Sequence, residues 1–184
     1  CLVAGLNLLA ARNPIPGLRG DWTVDSANTL HPDTAALFGA VKDPVELILF
    51  RSPLAATLPA QRAFNQEVYR KTDLLIREAA FLNQRITVES INPVTNPDRA
   101  RAAIERTGLE ATATMGSFLL VHARGRNIQL SFPQLATIDP QTGQLRYQGE
   151  DALYKAMAEV TRRQARLVTF VLGHGELDRG KADE

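Results

Sequence analysis

Apolar and polar positions along the chain follow two periods. Residues 45–50 (VELILF) are apolar almost throughout, the pattern of a strand covered on both faces. From about Pro59 to Asn83, the residues Phe64, Val68, Leu75, Ala79 and Leu82 recur at steps of three, four and seven. That spacing predicts one apolar face of a long helix. Residues 86–91 (ITVESI) predict a second strand. After the turn NPVTNPD, Asn96 stands as N-cap and Pro97 at the first position of a helix over about 97–107, which Gly108 closes. Residues 117–123 (SFLLVHA) and 127–132 (NIQLSF) predict two strands, and RGRN between them offers a Gly for a tight hairpin turn. Residues 133–149 read as loop, with Asp139-Pro140 and Thr142-Gly143 as turn signals. A helix from about Glu150 to Arg163 carries Leu153, Met157 and Val160 on one face, and residues 167–172 (LVTFVL) predict a buried strand. Ahead of all these, Pro32 with Asp33 beside it starts a short helix that buries Leu37 and Phe38.

From 45 to about 163 the order is β-α-β-α-β-β-α, which is that of a thioredoxin-like fold. The expected architecture is α/β: a mixed sheet with helices on both faces. Its first two strands are parallel through a crossover helix, and the later hairpin is antiparallel. The strand at 167–172 has no place in this plan and is expected to open a second, truncated α/β domain. Three segments follow: 1–20 as partial membrane anchor and linker, 21–163 as the thioredoxin-like domain, and 164–184 as the start of the second domain. Residues 1–11 (CLVAGLNLLAA) are nearly all apolar, yet shorter than the about 20 residues a spanning helix needs. The leading expectation is the last half of a membrane helix or signal anchor. The alternatives are a lipoprotein whose Cys1 follows a cleaved signal peptide, and an amphipathic helix packed on the domain. NPIPGLRG, residues 13–20, leads away from this segment as a linker. Trp22, the single tryptophan, either anchors the linker on the core or sits at a membrane interface.

Charge and rare residues narrow the chemistry. Lys and Arg number 21 against 20 Asp and Glu, which argues against a nucleic-acid surface, since that needs a clear basic excess. With one cysteine, Cys1, the chain cannot form an internal disulfide or a Cys-based zinc site. His31, His122 and His174 have no ligand-like spacing, so no metal and no cofactor is expected. Thiol-disulfide exchange needs a thiolate after the first strand. The segment there, RSPLAATLPAQ, has none, and no cis-proline precedes the third strand (ATATMGS). There is also no phosphate loop ending in Lys and Ser or Thr.

The turn Gly173, His174, Gly175 and Glu176 follows a predicted strand, where α/β folds place ligands. As a functional site it would supply a base and an orienting carboxylate. As structure it is a strand-to-helix turn whose glycines permit unusual dihedrals. The structural reading is preferred, and no catalytic residue is assigned. His122 reads as structural, Ser52 and Ser131 lack triad neighbours, and Asp21, Asp25 and Asp33 read as turn and cap residues. Arg162, Arg163 and Arg166 read as cations favoured at the end of the last helix.

The order of segments resembles the GldG-type (gliding-motility-associated) auxiliary component family of ABC transporters. The matching residues are Asp21, Trp22 and Thr23, then Thr29, Leu30, His31 and Pro32, then Lys42, Asp43, Pro44 and Val45. The likeness continues through the long helix, RITVESINP, GRNIQLSF and EDALYKAMAEVTRRQARLVTFVLGHGE, and so covers nearly the whole chain. Trp22 stands where the family has leucine, and His31 where it has a helix-capping serine, a change expected to cost about 1 kcal/mol of capping. The resemblance implies a non-enzymatic component on the extracytoplasmic (periplasmic) side of the inner membrane. The membrane would hold it through the N-terminal segment, and its partners would be an ABC permease and its ATPase. The family carries no established catalytic residues. Two rival readings are kept. One is a hydrolase-like enzyme built on the GHGE turn with residues beyond Glu184. The other is a free peptide-binding module of degenerate thioredoxin fold, with an exposed apolar groove near Pro53–Pro59.

Overall fold

The computed structural model describes residues 30–52, 58–110 and 116–162. In chain order the larger elements are α1 (Pro32–Gly39), β1 (Val45–Phe50), α2 (Pro59–Leu82), β2 (Ile86–Ile91), α3 (Pro97–Thr107), β3 (Phe118–Ala123) and β4 (Arg126–Ser131). They are followed by a one-turn helix α4 (Phe132–Leu135), the short strands β5 (Ala136–Ile138) and β6 (Leu145–Tyr147), and α5 (Gly149–Val160). Four strands form one sheet in the order β2-β1-β3-β4. β1 and β2 are parallel, with Val45 opposite Ile86 and Phe50 opposite Ile91. β3 runs antiparallel to β1, and β4 to β3. Parallel neighbours need a crossover, and α2 supplies it. The expected mixed α/β sheet with helices on both faces is therefore what the chain forms.

Alternation along the strands divides the core in two. Val45, Leu47, Leu49, Leu119 and Val121 face one side and pack with α1, α2, α4 and α5. Ile48, Phe50, Phe118 and Leu120 face the other and pack under α3. Phe50 and Phe118 stack there with ring centroids 4.7 Å apart. α3 presents only Ala100 and Ala103 to this layer, which lets its backbone lie close to the rings. Glu46 is the polar position in β1, and it is used: Arg106 of α3 reaches it at 2.8 Å and also reaches Glu89 of β2 at 3.0 Å. Hydrogen bonding to Glu46 holds the Arg106 guanidinium above its ordinary value.

Several local expectations are corrected. Residues 133–149 are not loop. Ser131 donates its backbone N–H and its hydroxyl to Gln134 Oε1, both at 2.8 Å, which starts α4. β5 and β6 then pair antiparallel. Asp139 turns the chain between them by accepting the N–H groups of Thr142 and Gln141, and these bonds hold its carboxyl below the usual range. Strands of three residues are too short to show an alternation, so the sequence pattern passes over them. The last helix ends at Val160 rather than near Arg163. Its final carbonyls are held by Arg126, which donates to Val160 O at 2.8 Å and to Arg162 O. Arg162 is paired with Glu159 at 2.9 Å. Beside Arg162, the strand thus contributes a second cation to this helix end from across the fold.

The caps differ in the same way. Asn96 precedes α3 without a side-chain cap bond, and its Oδ1 accepts from the Thr95 hydroxyl at 3.1 Å instead. His31 does cap: its Nδ1 accepts the Asp33 N–H at 3.3 Å, so the expected loss of a serine cap is made good by the imidazole. At Gly108 the chain takes the left-handed conformation (φ 68°) that ends α3. In the hairpin, both Arg124 (φ 55°) and Gly125 (φ 70°) have positive φ, the combination a two-residue type I′ turn requires. Arg124 is held there by Asp43 at 2.7 Å.

The segments 1–29 and 163–184 lie outside the described residues. With them lie the expected anchor, Cys1, Trp22, Asp21, Asp25, Arg163, Arg166, the strand 167–172 and the turn Gly173 to Glu176. Among the described residues no helix is long and apolar enough to cross a membrane.

Candidate functional site

At the carboxyl end of β1 the chain passes into Arg51, whose N–H donates to Ile91 O at 2.9 Å and so extends the sheet by one bond. The Arg51 guanidinium lies 4.9 Å from the ring centroid of Tyr69 on α2, a cation–π contact. Between Arg51 and the outer face of α2 runs an open groove of about 590 Å³. Ala63 and Leu74 are its apolar ends, and Glu67, Arg70 and Asp73 are its charges.

Those charges are already committed. Arg70 grips Glu67 with two bonds, at 2.7 and 3.0 Å, and Lys71 stands 3.9 Å from the same carboxylate. Asp73 accepts from Arg77 at 2.7 Å and from the Ser90 hydroxyl of β2 at 2.9 Å. The hydrogen bond from Arg70 holds the Glu67 carboxyl below its ordinary range. Asp73 in turn holds Arg77 above its own. A general acid or base works best with a pKa near the operating pH, and Glu67 is moved away from it. The groove is chemically a surface of fixed charges, one exposed cation on an aromatic ring, and short apolar stretches. Such a surface is suited to contact.

Among the described residues lie two further depressions. One, of about 250 Å³, lies beside the Arg99, Arg106, Glu46 and Glu89 cluster, where Glu89 also accepts from Arg99 at 3.0 Å. The other, of about 510 Å³, lies between β4 and α5, floored by Ile128, Leu130, Ala152 and Ala156. Its rim carries the Asp151–Lys155 pair, at 2.7 Å.

The residues singled out in the sequence are spread over the fold. His122 Nδ1 meets Asn127 Oδ1 at 2.6 Å, and Asn127 Nδ2 donates to Thr107 O at 2.8 Å. This chain closes the end of α3, so His122 is structural. Ser131 sits opposite Phe118 and His122 opposite Asn127, at the two ends of the β3–β4 ladder, which keeps them apart. Ser52 is buried and donates its N–H to Ser117 Oγ at 3.0 Å. Asp33 is exposed beside His31, 3.6 Å from its Nδ1. Among the described residues no three His, Cys, Asp or Glu side chains come together as a metal-binding group.

The groove residues were not singled out in the sequence. Its ion pairs could have been, since Glu67/Arg70 and Asp73/Arg77 have the i,i+3 and i,i+4 spacing that joins neighbours on a helix surface. The Arg51–Tyr69 contact has no such signal, because it is made by the crossover returning α2 over the end of β1. No family model, curated protein or solved structure matches the chain, so its reading rests on its own residues.

Proposed function

We propose that this chain is a non-enzymatic, extracytoplasmic auxiliary component of an ABC transport system, acting as an interaction module. Its core would be a thioredoxin-like scaffold used without redox chemistry. The observation that carries the interaction reading is the groove along α2, where Arg70 pairs with Glu67 and holds its carboxyl below its ordinary range, and Arg77 pairs with Asp73. The transport reading rests on the resemblance. In this chain its motifs fall at the edges of elements: Lys42-Asp43-Pro44 leads into β1, RITVESINP is β2 and its turn, and GRNIQLSF is the second strand of the hairpin. The thioredoxin-like label is supported by the element order and by the parallel pair beside an antiparallel hairpin.

The place of the groove also favours the second reading, a free peptide-binding module, which expected a groove near Pro53–Pro59. Arg51 and Ala63 flank that segment, although the groove is more charged than apolar. One experiment separates the two. The tagged full-length protein is extracted from membranes under mild detergent, and what comes with it is identified by mass spectrometry. A permease and an ATPase in stoichiometric amounts are the expected outcome. A protein that leaves the membrane fraction without detergent and brings neither subunit overturns the transport reading, and His174 and Glu176 then become the residues to test.

A further inference from the structure

The outer face of α2 continues beyond the groove. Ala63, Glu67, Arg70, Leu74, Arg77 and Phe81 follow one another at steps of four and three, the spacing of a helix-packing seam. The five other than Glu67 are exposed, and Leu74 and Phe81 expose half of their surface. The seam covers ~27 Å of helix at 1.5 Å per residue. On the opposite side the same helix buries Val68, Thr72, Leu75, Ile76 and Ala79 against the sheet, so the two faces are separate.

We infer that this face receives a second copy of the chain, with the two α2 helices antiparallel about a two-fold axis at the level of Thr72. The seam is complementary to itself in that register and direction. Ala63, the smallest side chain, lies opposite Phe81, the largest. Glu67 lies opposite Arg77. The stem of Arg70 lies opposite Leu74, where its methylenes can cover apolar surface. Because the interface is isologous, each pairing occurs twice. A parallel arrangement would set Glu67 on Glu67, Arg70 on Arg70 and Arg77 on Arg77, like charge against like at each charged level. The intrahelical partners stay in place in the dimer: Arg70 remains on Glu67 and Asp73 on Arg77, so each Glu67–Arg77 contact joins two existing pairs into a four-charge chain. A single helix seam of this length buries less than the about 1,200 Å² of a standard interface. The association is therefore weak and suits molecules held at high local concentration. This inference rests on reading the α2 face as a contact surface, and is independent of which membrane system the chain serves.

The test is sedimentation velocity of the 184-residue chain over a wide concentration range, at low and high salt. The wild type is expected to form a dimer that salt weakens. Glu67→Arg alone, or Arg77→Glu alone, sets like charges opposite and weakens association about tenfold or more. The double variant E67R/R77E restores the pairing with its sign reversed and recovers association to within about threefold. Far-ultraviolet circular dichroism checks that each variant is folded. Leu74→Ala, which removes the apolar surface opposite the Arg70 stem, repeats the test at a second contact, changes no charge and should likewise weaken association. A chain that stays monomeric at about millimolar concentration overturns the inference. So does association that the single variants leave unchanged, or a loss that the charge swap fails to restore. A monomer that still co-purifies with a permease would overturn the dimer alone, and a dimer that brings no permease would overturn the transport reading alone.

Discussion

Gly149 opens α5, where alanine would ordinarily be the better helix former by about 1 kcal/mol. Here the reverse is expected. A Cβ built on Gly149 overlaps Oη and Cζ of Tyr147 and lies 2.8 Å from its Cε1. The ring has little room to retreat. Its hydroxyl is bonded at 3.1 Å to Thr72 Oγ1, which is fully buried on α2, and the Lys71 ammonium lies 5.9 Å from its centroid. Moving the ring gives up that hydrogen bond, worth about 1 kcal/mol, and leaves the Thr72 hydroxyl without it. Repacking around an inserted methyl adds about 1–3 kcal/mol. Against these stands at most about 1 kcal/mol of helix propensity, so Gly149→Ala should destabilise by about 1–3 kcal/mol. Urea unfolding should show a lower midpoint with an unchanged slope. A double-mutant cycle isolates the cause. In a Tyr147→Ala background the same substitution should be neutral or slightly stabilising, whereas in Tyr147→Phe it should still destabilise, because Cζ and Cε1 remain. A Gly149→Ala protein as stable as the wild type, or an equal loss in the Tyr147→Ala background, would refute the packing argument.

Burial pushes the Tyr147 phenol up to about 12, so its neutral form belongs to the fold. That contribution is intact below the ordinary tyrosine value of about 10 and fades as pH rises toward 12. Ultraviolet titration should show a late phenolate phase, absent in Tyr147→Phe. Arg126→Ala should cost about 1 kcal/mol and speed hydrogen exchange in the last turn of α5, with Arg126→Lys intermediate, because Nη2 donates to both carbonyls and a flexible ammonium is less preorganised to do so. Equal exchange in all three proteins would show the Arg126 contacts to be idle. His31→Ala should lose about 0.5–1 kcal/mol in thermal unfolding and His31→Ser almost nothing, since the imidazole already fills the cap. A His31→Ser protein clearly more stable than the wild type would mean that the ring caps poorly.

What the sequence reveals of this fold is what its periodicity carries. The VELILF strand, the α2 stripe from Val68 to Ala79 and the Gly108 stop are each written in consecutive residues, and all are found. Even so, the α2 stripe drifts: the spacing puts Leu82 on the buried face, but it is exposed, and leaves out Thr72 and Ile76, which are buried. A hydroxyl at 72 looks polar in a one-dimensional pattern, but Tyr147 satisfies it from 75 residues away. The β5–β6 hairpin escapes notice for want of length. Arg162 can be read from the sequence as a cation at the end of α5, but Arg126, which reaches the same end from across the fold, cannot. The groove is missed for the same reason, since its ion pairs are local but its aromatic floor and Arg51 meet only through the crossover.

The crossover has one more consequence. α2 and α5 lie on the same face of the sheet, and β1 and β4 point the same way, since each runs antiparallel to β3. From β1 the chain passes over that face toward one margin of the sheet, to β2. A strand that followed α5 onto the free margin of β4 would pass over the same face in the opposite direction. The two paths are mirror images, and about 98% of such connections have a single hand. A chiral preference of this kind disfavours a parallel strand laid on the β4 margin by way of α5, and among the described residues no strand is paired there.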